Sequence, residues 1–309
     1  MLRNFFLYLS QSEGWRRFIT GFGPTRTMAR RFVAGETLDE AVAVVKALNS
    51  RGILATMNHL GEHVASREDA YRAGREYQEL LHRIAAERLQ STISVKPSHL
   101  GLNFGADFFY ENVADVVQVA HALGNMVEVD MEESASVQAN LDVYHRLLDT
   151  FQGPLRLAIQ SYLYRSGNDV QTLIERGTSI RLVKGAYQEP ATIAFQKKAE
   201  VDAEFIKLME LYFGPRARET GAYLAVASHD PRIISRTIAE ARSRGIGQDA
   251  FEFQMLQGVR RDEQQRLADA GYRMRVFVPY GREWYPYFMR RLAERPANVL
   301  FAMRAIFGK

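Results

Sequence analysis

Apolar and polar positions alternate along this chain in two rhythms that take turns. Thr37-Leu-Asp-Glu40 has the spacing of a capping box, and Leu38, Ala41, Val42, Val45 and Leu48 follow at helical intervals until Arg51-Gly52. A short β-rich run at 53–57 comes next. Seven more such runs follow, at 91–95, 126–129, 155–159, 179–183, 223–227, 251–255 and 274–278. Each interval between them has room for a helix, and helical patterning is clear at 67–87, 137–150, 199–212, 231–244 and 261–270. Short apolar strands separated by amphipathic helices predict βαβ units and a parallel sheet.

The number of strands selects the architecture. Eight βα units in 309 residues fit a (β/α)8 barrel, which typically takes about 250 residues. An open doubly wound sheet would carry a glycine-rich first turn, and no strand here is followed by one; Gly21-Phe-Gly23 precedes the first strand and reads as a loop. No Pro- or Ser-rich linker and no clear internal repeat divides the chain. The expectation is therefore one domain over 1–309, with a helical segment at 1–36 and a distorted barrel at 37–309.

Composition narrows the picture further. Hydrophobic residues make up 47% and charged residues 25%, as in ordinary soluble domains, and no apolar run is long enough to span a bilayer. Cysteine is absent, which excludes disulfides and thiolate metal sites and suits a reducing, cytoplasmic setting. The net charge of +4 comes from Lys and Arg scattered without a basic run, so no nucleic-acid partner is expected. The first 31 residues differ: Arg3, Arg16, Arg17, Arg26, Arg30 and Arg31 face a lone Glu13 beside Phe5, Phe6, Tyr8, Leu9 and Trp15. The plainer reading is a pair of short helices packed on the barrel. The other is an amphipathic, peripheral contact with the inner face of the cell membrane.

In a (β/α)8 barrel the chemistry gathers at the C-terminal strand ends. Here those ends offer Lys96, then Asp130 with Met131 and Glu132, Gln160, Arg181 with Lys184-Gly185-Ala186-Tyr187, Ser228-His229-Asp230 and Gln254 with Leu256. The last strand runs through Phe277 to Pro279-Tyr280-Gly281 and into a helix at about 283–295 that carries Tyr287, Arg290, Arg291 and Glu294 at three- and four-residue spacings. Paired guanidinium groups suit a small carboxylate, and Glu294 is spaced to steady one of them. A surface salt bridge on an outer helix would look the same. His59-Leu-Gly-Glu62-His63 fits the H-x-x-E-H zinc pattern, but Gly61 interrupts it in an expected loop, so no metal is assigned. Lys96 or Lys184 at a strand end leaves a Schiff-base lyase open as an alternative.

The closing stretch resembles the signature of the proline dehydrogenase family: a Pro-x-Gly turn, then Trp, Tyr, paired arginines and a downstream glutamate. Five further motifs are similar and come in the family's order: Val129-Asp130-Met131-Glu132, Gln160-Ser161-Tyr162-Leu163-Tyr164, Ile180 through Tyr187, Ala227-Ser228-His229-Asp230 and Phe251 through Leu256. The chain is closest in length to the short monofunctional bacterial type. The resemblance implies a distorted barrel with bound FAD that oxidises L-proline to Δ1-pyrroline-5-carboxylate, the first step of proline catabolism to glutamate, and passes the electrons to a membrane quinone. It implies that Arg290 and Arg291 bind the substrate carboxylate, with Lys96 assisting and Glu294 pairing with Arg290. Tyr187, Leu256 and Tyr287 would pack around the pyrrolidine ring, and Asp130 and Arg181 would be the catalytic acid and the cation at the flavin edge. Met131, Gln160, Arg181, Lys184, Gly185, Ala186, Ser228 and His229 would contact FAD. Family members usually carry tyrosine at Phe277, so a 4-hydroxyproline substrate is the alternative here.

Overall fold

The computed structural model describes residues 29–294, apart from 63, 152 and 154 and the side chains of 292–294. Eight parallel strands close into a barrel in chain order, β1 pairing with both β2 and β8. They are β1 Leu54–His59, β2 Ser91–Val95, β3 Val127–Val129, β4 Leu155–Gln160, β5 Ser179–Val183, β6 Tyr223–Ala227, β7 Phe251–Leu256 and β8 Arg273–Tyr280. Around them run α1 Leu38–Asn49, α2 Arg67–Ala86, α3 Ala106–Ala122, α4 Ser134–Thr150, α5 Ser166–Glu175, α6 Lys198–Tyr212, α7 Pro215–Thr220, α8 Pro231–Ser243, α9 Arg261–Asp269 and α10 Trp284–Glu294. The (β/α)8 expectation is thus met. The capping box at Thr37 forms: its hydroxyl accepts from the Glu40 amide, and Glu40 accepts in return from the Thr37 amide.

Two boundaries shift for a physical reason. β1 and β8 each run on to His59 and Tyr280, past the positions where the apolar runs stop. Pro279, expected to begin a turn, lies inside β8 opposite Asn58. It can stay there because its carbonyl accepts from the Ala34 amide at 2.8 Å, while its missing N–H is not needed by the ladder. The segment just before α1 therefore pairs with the end of β8, and the Gly281 amide continues the pairing to Gly35. Gly281 has a φ of 126°, and a side chain there would press on the His59 ring.

The apolar core lies between the strand cylinder and the helices. Outward strand residues such as Met57, Ile93, Val127, Leu157, Leu182, Val226, Phe253 and Val276 are buried there against Leu80, Val116, Leu147, Leu173 and Phe205. The inward face is polar instead. Thr56, Thr92, Glu128, Arg156, Arg181, Glu252, Gln254 and Arg275 are all buried and bonded to one another across the barrel. (β/α)8 interiors are usually filled by branched apolar side chains. This one is a column of charge that ends in a polar mouth. A second apolar cluster, Phe32, Val33, Leu60, Trp284, Tyr285, Phe288 and Met289, seats α10 over the β8–β1 end of that mouth.

Candidate active site

Asp130 follows β3 directly, where side chains still alternate in and out, so it points to the barrel axis above Glu128. Ser94 Oγ donates to its Oδ1 at 2.8 Å, the Arg181 guanidinium is in direct contact with the same oxygen, and Lys96 Nζ is 3.2 Å from Oδ2. Burial pushes the Asp130 carboxyl up, but Arg181 and Lys96 outweigh it and hold it below its ordinary range. Burial would likewise lower Lys96; Asp130, Tyr187 and Glu62 outweigh that and raise it. Lys96 is therefore a firm ammonium. A Schiff-base nucleophile needs the free amine, so the lyase alternative fails at this lysine. Lys184 is held elsewhere, between Asp202 at 2.5 Å and Asp230 at 3.1 Å, which Lys198 and Arg232 share.

α10 brings its arginines to the same mouth. The Arg290 fork takes Glu62 through two bonds, at 2.7 and 3.0 Å, and Glu62 lies 3.6 Å from Lys96 Nζ. Arg290 and Lys96 are thus joined through one carboxylate. The Arg291 guanidinium lies over the Tyr287 ring at 5.1 Å. The expected Glu294 side chain lies outside the described residues; the partner seen for Arg290 is Glu62, which reading by strand ends and helix spacing overlooked because it sits in the β1–α2 loop. The only sequence signal for it was the Leu-Gly-Glu stretch treated as part of a zinc motif. In that motif, His59 Nδ1 lies 3.0 Å from Glu76 and its ring stacks on Tyr280, while His63 lies outside the described residues.

The remaining expected residues border this mouth at its strand ends. Phe277 on β8 faces inward beneath the Arg181 guanidinium, 5.5 Å from the ring centre. Tyr187 is partly buried; burial raises its hydroxyl above its ordinary range, against the opposing pull of nearby Lys96. Gln160, at the end of β4, is buried with no partner for its Oε1 among the described residues, and Met131 is buried beside Asn140. Gly185 has a φ of 106°, and a side chain there would collide with the Tyr162 ring, so the chain passes the β5 end as bare backbone. Ala186 next to it is exposed. Ser228 Oγ accepts from the Asp230 amide, and His229 Nε2 accepts from the Leu256 amide at 2.9 Å, tying the β6 end to the β7 end.

The structure therefore gathers Lys96, Asp130, Arg181 and Phe277 in direct contact and joins Arg290 to them through Glu62. Arg291 and Tyr287 sit on the same helix. Gln160, Gly185, Ser228 and His229 lie along the β4–β6 ends, with Lys184 turned to the outer side of that arc. Chemically this is a pocket with fixed cations, two acids, Asp130 and Glu62, set among them, and one buried polar atom, Gln160 Oε1, without a partner among the described residues. It suits an anionic small molecule.

Comparisons with known proteins agree. The profile of the family described as "Proline dehydrogenase" matches residues 41–304. The chain is 40% identical over 309 residues to "Proline dehydrogenase 1" of Bacillus subtilis, covering all of both chains. It is 38% identical over 283 residues to "Proline dehydrogenase" of Deinococcus radiodurans, covering 90% of each. Among solved structures, proline utilization A from Bdellovibrio bacteriovorus, inactivated by N-propargylglycine, superposes with a TM-score of 0.80 at 27% identity over 87% of this chain. This chain spans 32% of that longer one. An eight-stranded barrel with a cationic mouth, matched from α1 past α10 by one family and end to end by a relative, belongs to the proline dehydrogenase family of oxidoreductases.

Proposed function

We propose that this enzyme uses bound FAD to oxidise L-proline to Δ1-pyrroline-5-carboxylate, opening proline catabolism to glutamate, and hands the electrons to a membrane quinone. The observation that carries the reading is the Lys96–Asp130–Arg181 contact at the barrel mouth, with Arg290 bridged to it through Glu62.

The site has features that FAD would use. Gln160 Oε1 is buried without a partner among the described residues, Gly185 carries no side chain of its own at the β5 end, where the Tyr162 ring packs against its backbone, and Arg181 is a fixed buried cation. Met131, Gln160, Arg181, Gly185, Ala186, Ser228 and His229 would hold the group, with Lys184 contributing its backbone, since its ammonium is paired to Asp202 and Asp230. When bound, FAD supplies the two-electron acceptor that no side chain offers.

The chain's own residues do the rest. Arg290 and Arg291 bind the carboxylate, and Lys96 adds a third cation; a planar fork fixes orientation as well as charge. Glu62 keeps Arg290 satisfied until a substrate carboxylate joins it. Tyr187, Leu256, Phe277 and Tyr287 enclose the ring and exclude water. Asp130 stays ionised and keeps Lys96 and Arg181 aimed. Arg181, buried where the dielectric is low, stabilises negative charge that develops nearby. Purified, FAD-loaded protein should reduce a dye acceptor with L-proline and bleach its flavin anaerobically. Absence of both results refutes the assignment.

Phe277 supports a second reading on substrate choice. A tyrosine there would add a hydroxyl against the substrate ring, and its lack leaves room for 4-hydroxyproline. The ratio of the two turnover efficiencies decides it. For the membrane, no helix among the described residues is long and apolar enough to cross one. The proposed peripheral contact through residues 1–31, on the cytoplasmic side, rests on their arginine and aromatic content; most of that segment lies outside the described residues. Unchanged liposome co-sedimentation after its deletion rules that contact out.

A further inference from the structure

The barrel holds more charge than this chemistry uses. Glu128 lies on β3, two residues before Asp130 and one layer below the mouth, fully buried. Its two oxygens are already hydrogen-bonded. Thr56 and Thr92 donate to Oε1 at 2.6 and 2.9 Å, and Gln254 Nε2 donates to Oε2 at 3.1 Å. These donors come from β1, β2 and β7, so the carboxylate is braced from three sides. Oε2 then sits 3.6 Å from Arg181 Nη1 and 3.5 Å from Arg156 Nη1. Both distances exceed a hydrogen bond, so the link is mainly Coulombic, in a setting where water does not screen it.

Arg181 is therefore faced at two nitrogens by two acids two residues apart in the chain: Nη2 by Asp130 and Nη1 by Glu128. Burial pushes Glu128 up, but Arg156, Arg181 and Arg275 hold its pKa at about 2, so its negative charge is permanent at working pH. Asp130 stands at the mouth, whereas Glu128 lies one layer below it and is fully buried. Of the cations at the mouth, Arg181 is the one it lies against.

We propose that Glu128 is a positioning residue for electron transfer: braced by Thr56, Thr92 and Gln254, it aims the Arg181 guanidinium and offsets part of its charge, and so sets how readily the bound flavin accepts electrons. The inference rests on the flavin reading above. Removing the negative charge leaves Arg181 less offset. Reduction becomes easier by about tenfold in the equilibrium, about 30 mV for a two-electron couple. Sulfite, an anionic probe of positive charge beside an oxidised flavin, should bind about tenfold more tightly for the same electrostatic reason.

The test uses the FAD-loaded full chain as wild type, Glu128→Gln, Glu128→Asp and Thr92→Val, with redox potential, sulfite affinity and thermal unfolding measured on each. Glu128→Gln should raise the potential and tighten sulfite binding as stated. Glu128→Asp keeps the charge but withdraws it, and should move both readouts the same way by about threefold. Thr92→Val loosens the brace without altering charge; it should lower the unfolding temperature and leave both readouts within twofold. If Glu128→Gln does not fold, Glu128→Asp decides alone. Potentials and sulfite affinities equal to wild type in the Glu128 variants overturn the proposal, as does a Thr92→Val shift equal to that of Glu128→Gln, which would mark a structural effect. Wild-type protein that takes up no flavin overturns the functional reading and this inference together; flavin-loaded wild type with unmoved variants overturns this inference only.

Discussion

Glu252→Gln tests whether the polar column inside the barrel is as dry as its burial implies. Glu252 is 1% exposed. It accepts from Arg156 Nη1 at 2.5 Å, from Arg275 Nε at 2.9 Å and Nη2 at 3.2 Å, and from Gln254 Nε2 at 2.8 Å. Its carboxyl is driven up by burial and brought below its ordinary range by the two arginines. The amide of glutamine fits the space but turns an N–H₂ toward a guanidinium and removes the acid that, among the described residues, both arginines touch directly. Breaking a buried pair from one side costs about 3–5 kcal/mol, because the surviving charge stays buried without compensation. Some relief remains: Arg275 Nη1 still donates to the Ala55 carbonyl at 2.7 Å, Arg156 Nε to Ser179 at 2.9 Å, and Arg156 lies 5.4 Å from the Tyr223 ring. The expected loss is about 4 kcal/mol. For 309 residues the unfolding entropy is about 0.65 kcal/mol/K, so the midpoint should fall by about 6 °C. Calorimetry or urea unfolding at equal flavin occupancy measures it, since a bound ligand would otherwise raise the apparent stability. A single Glu252→Gln change costing under about 1 kcal/mol would mean that water reaches these groups, and the reasoning from burial would be wrong.

Three further outcomes are expected. Arg290→Met and Arg291→Met should each lower kcat/KM for L-proline by about thirtyfold, about 2 kcal/mol of lost charged hydrogen bonding, chiefly through KM; a change under threefold in both would remove the arginines from carboxylate binding. His99 is buried between Tyr77 and His59, and burial first, then His59, lowers its pKa to about 4. Because the folded value lies below the unfolded one, its contribution is present above about pH 6.5 and lost as pH falls toward 4. Stability should drop by about 2 kcal/mol from pH 7 to pH 5, and His99→Gln should remove that slope; an unchanged slope in the variant assigns the acid loss to other groups. Phe277→Tyr should raise the preference for proline over 4-hydroxyproline by about fivefold, the size of one hydroxyl contact, and an unaltered ratio ends the selectivity argument.

The barrel was legible in the sequence because local physics writes it there. Eight apolar runs, spaced by helical stripes and closed by glycines such as Gly52 and Gly281, leave few other ways to bury both faces of the strands. Strand-end position alone nominated Lys96, Asp130 and Arg181, and these are in contact. The polar column was written there too, as single charges inside otherwise apolar strand runs, at 156, 252 and 275, but the strand ends alone do not reveal it. Helix spacing nominated Arg290 and could offer only Glu294 as its partner, because a three- or four-residue interval is the sole ion-pair geometry visible within one helix.

What the tertiary structure decided is which charges meet. Glu62 is 228 residues from Arg290, in a loop whose sequence suggests a metal motif, and it reaches the fork only because β1 and β8 close the barrel and carry α10 over the first strand. Lys184 carries the same charge as Lys96 at the same kind of strand end, yet it is spent on Asp202 and Asp230. A chain can specify strands and helices through short-range periodicity, but the sign, burial and partner of each ionisable group depend on residues brought together by closure. For this protein the fold and the residue types of the site are set by local pattern, and the working charges at its mouth are set by which strands become neighbours.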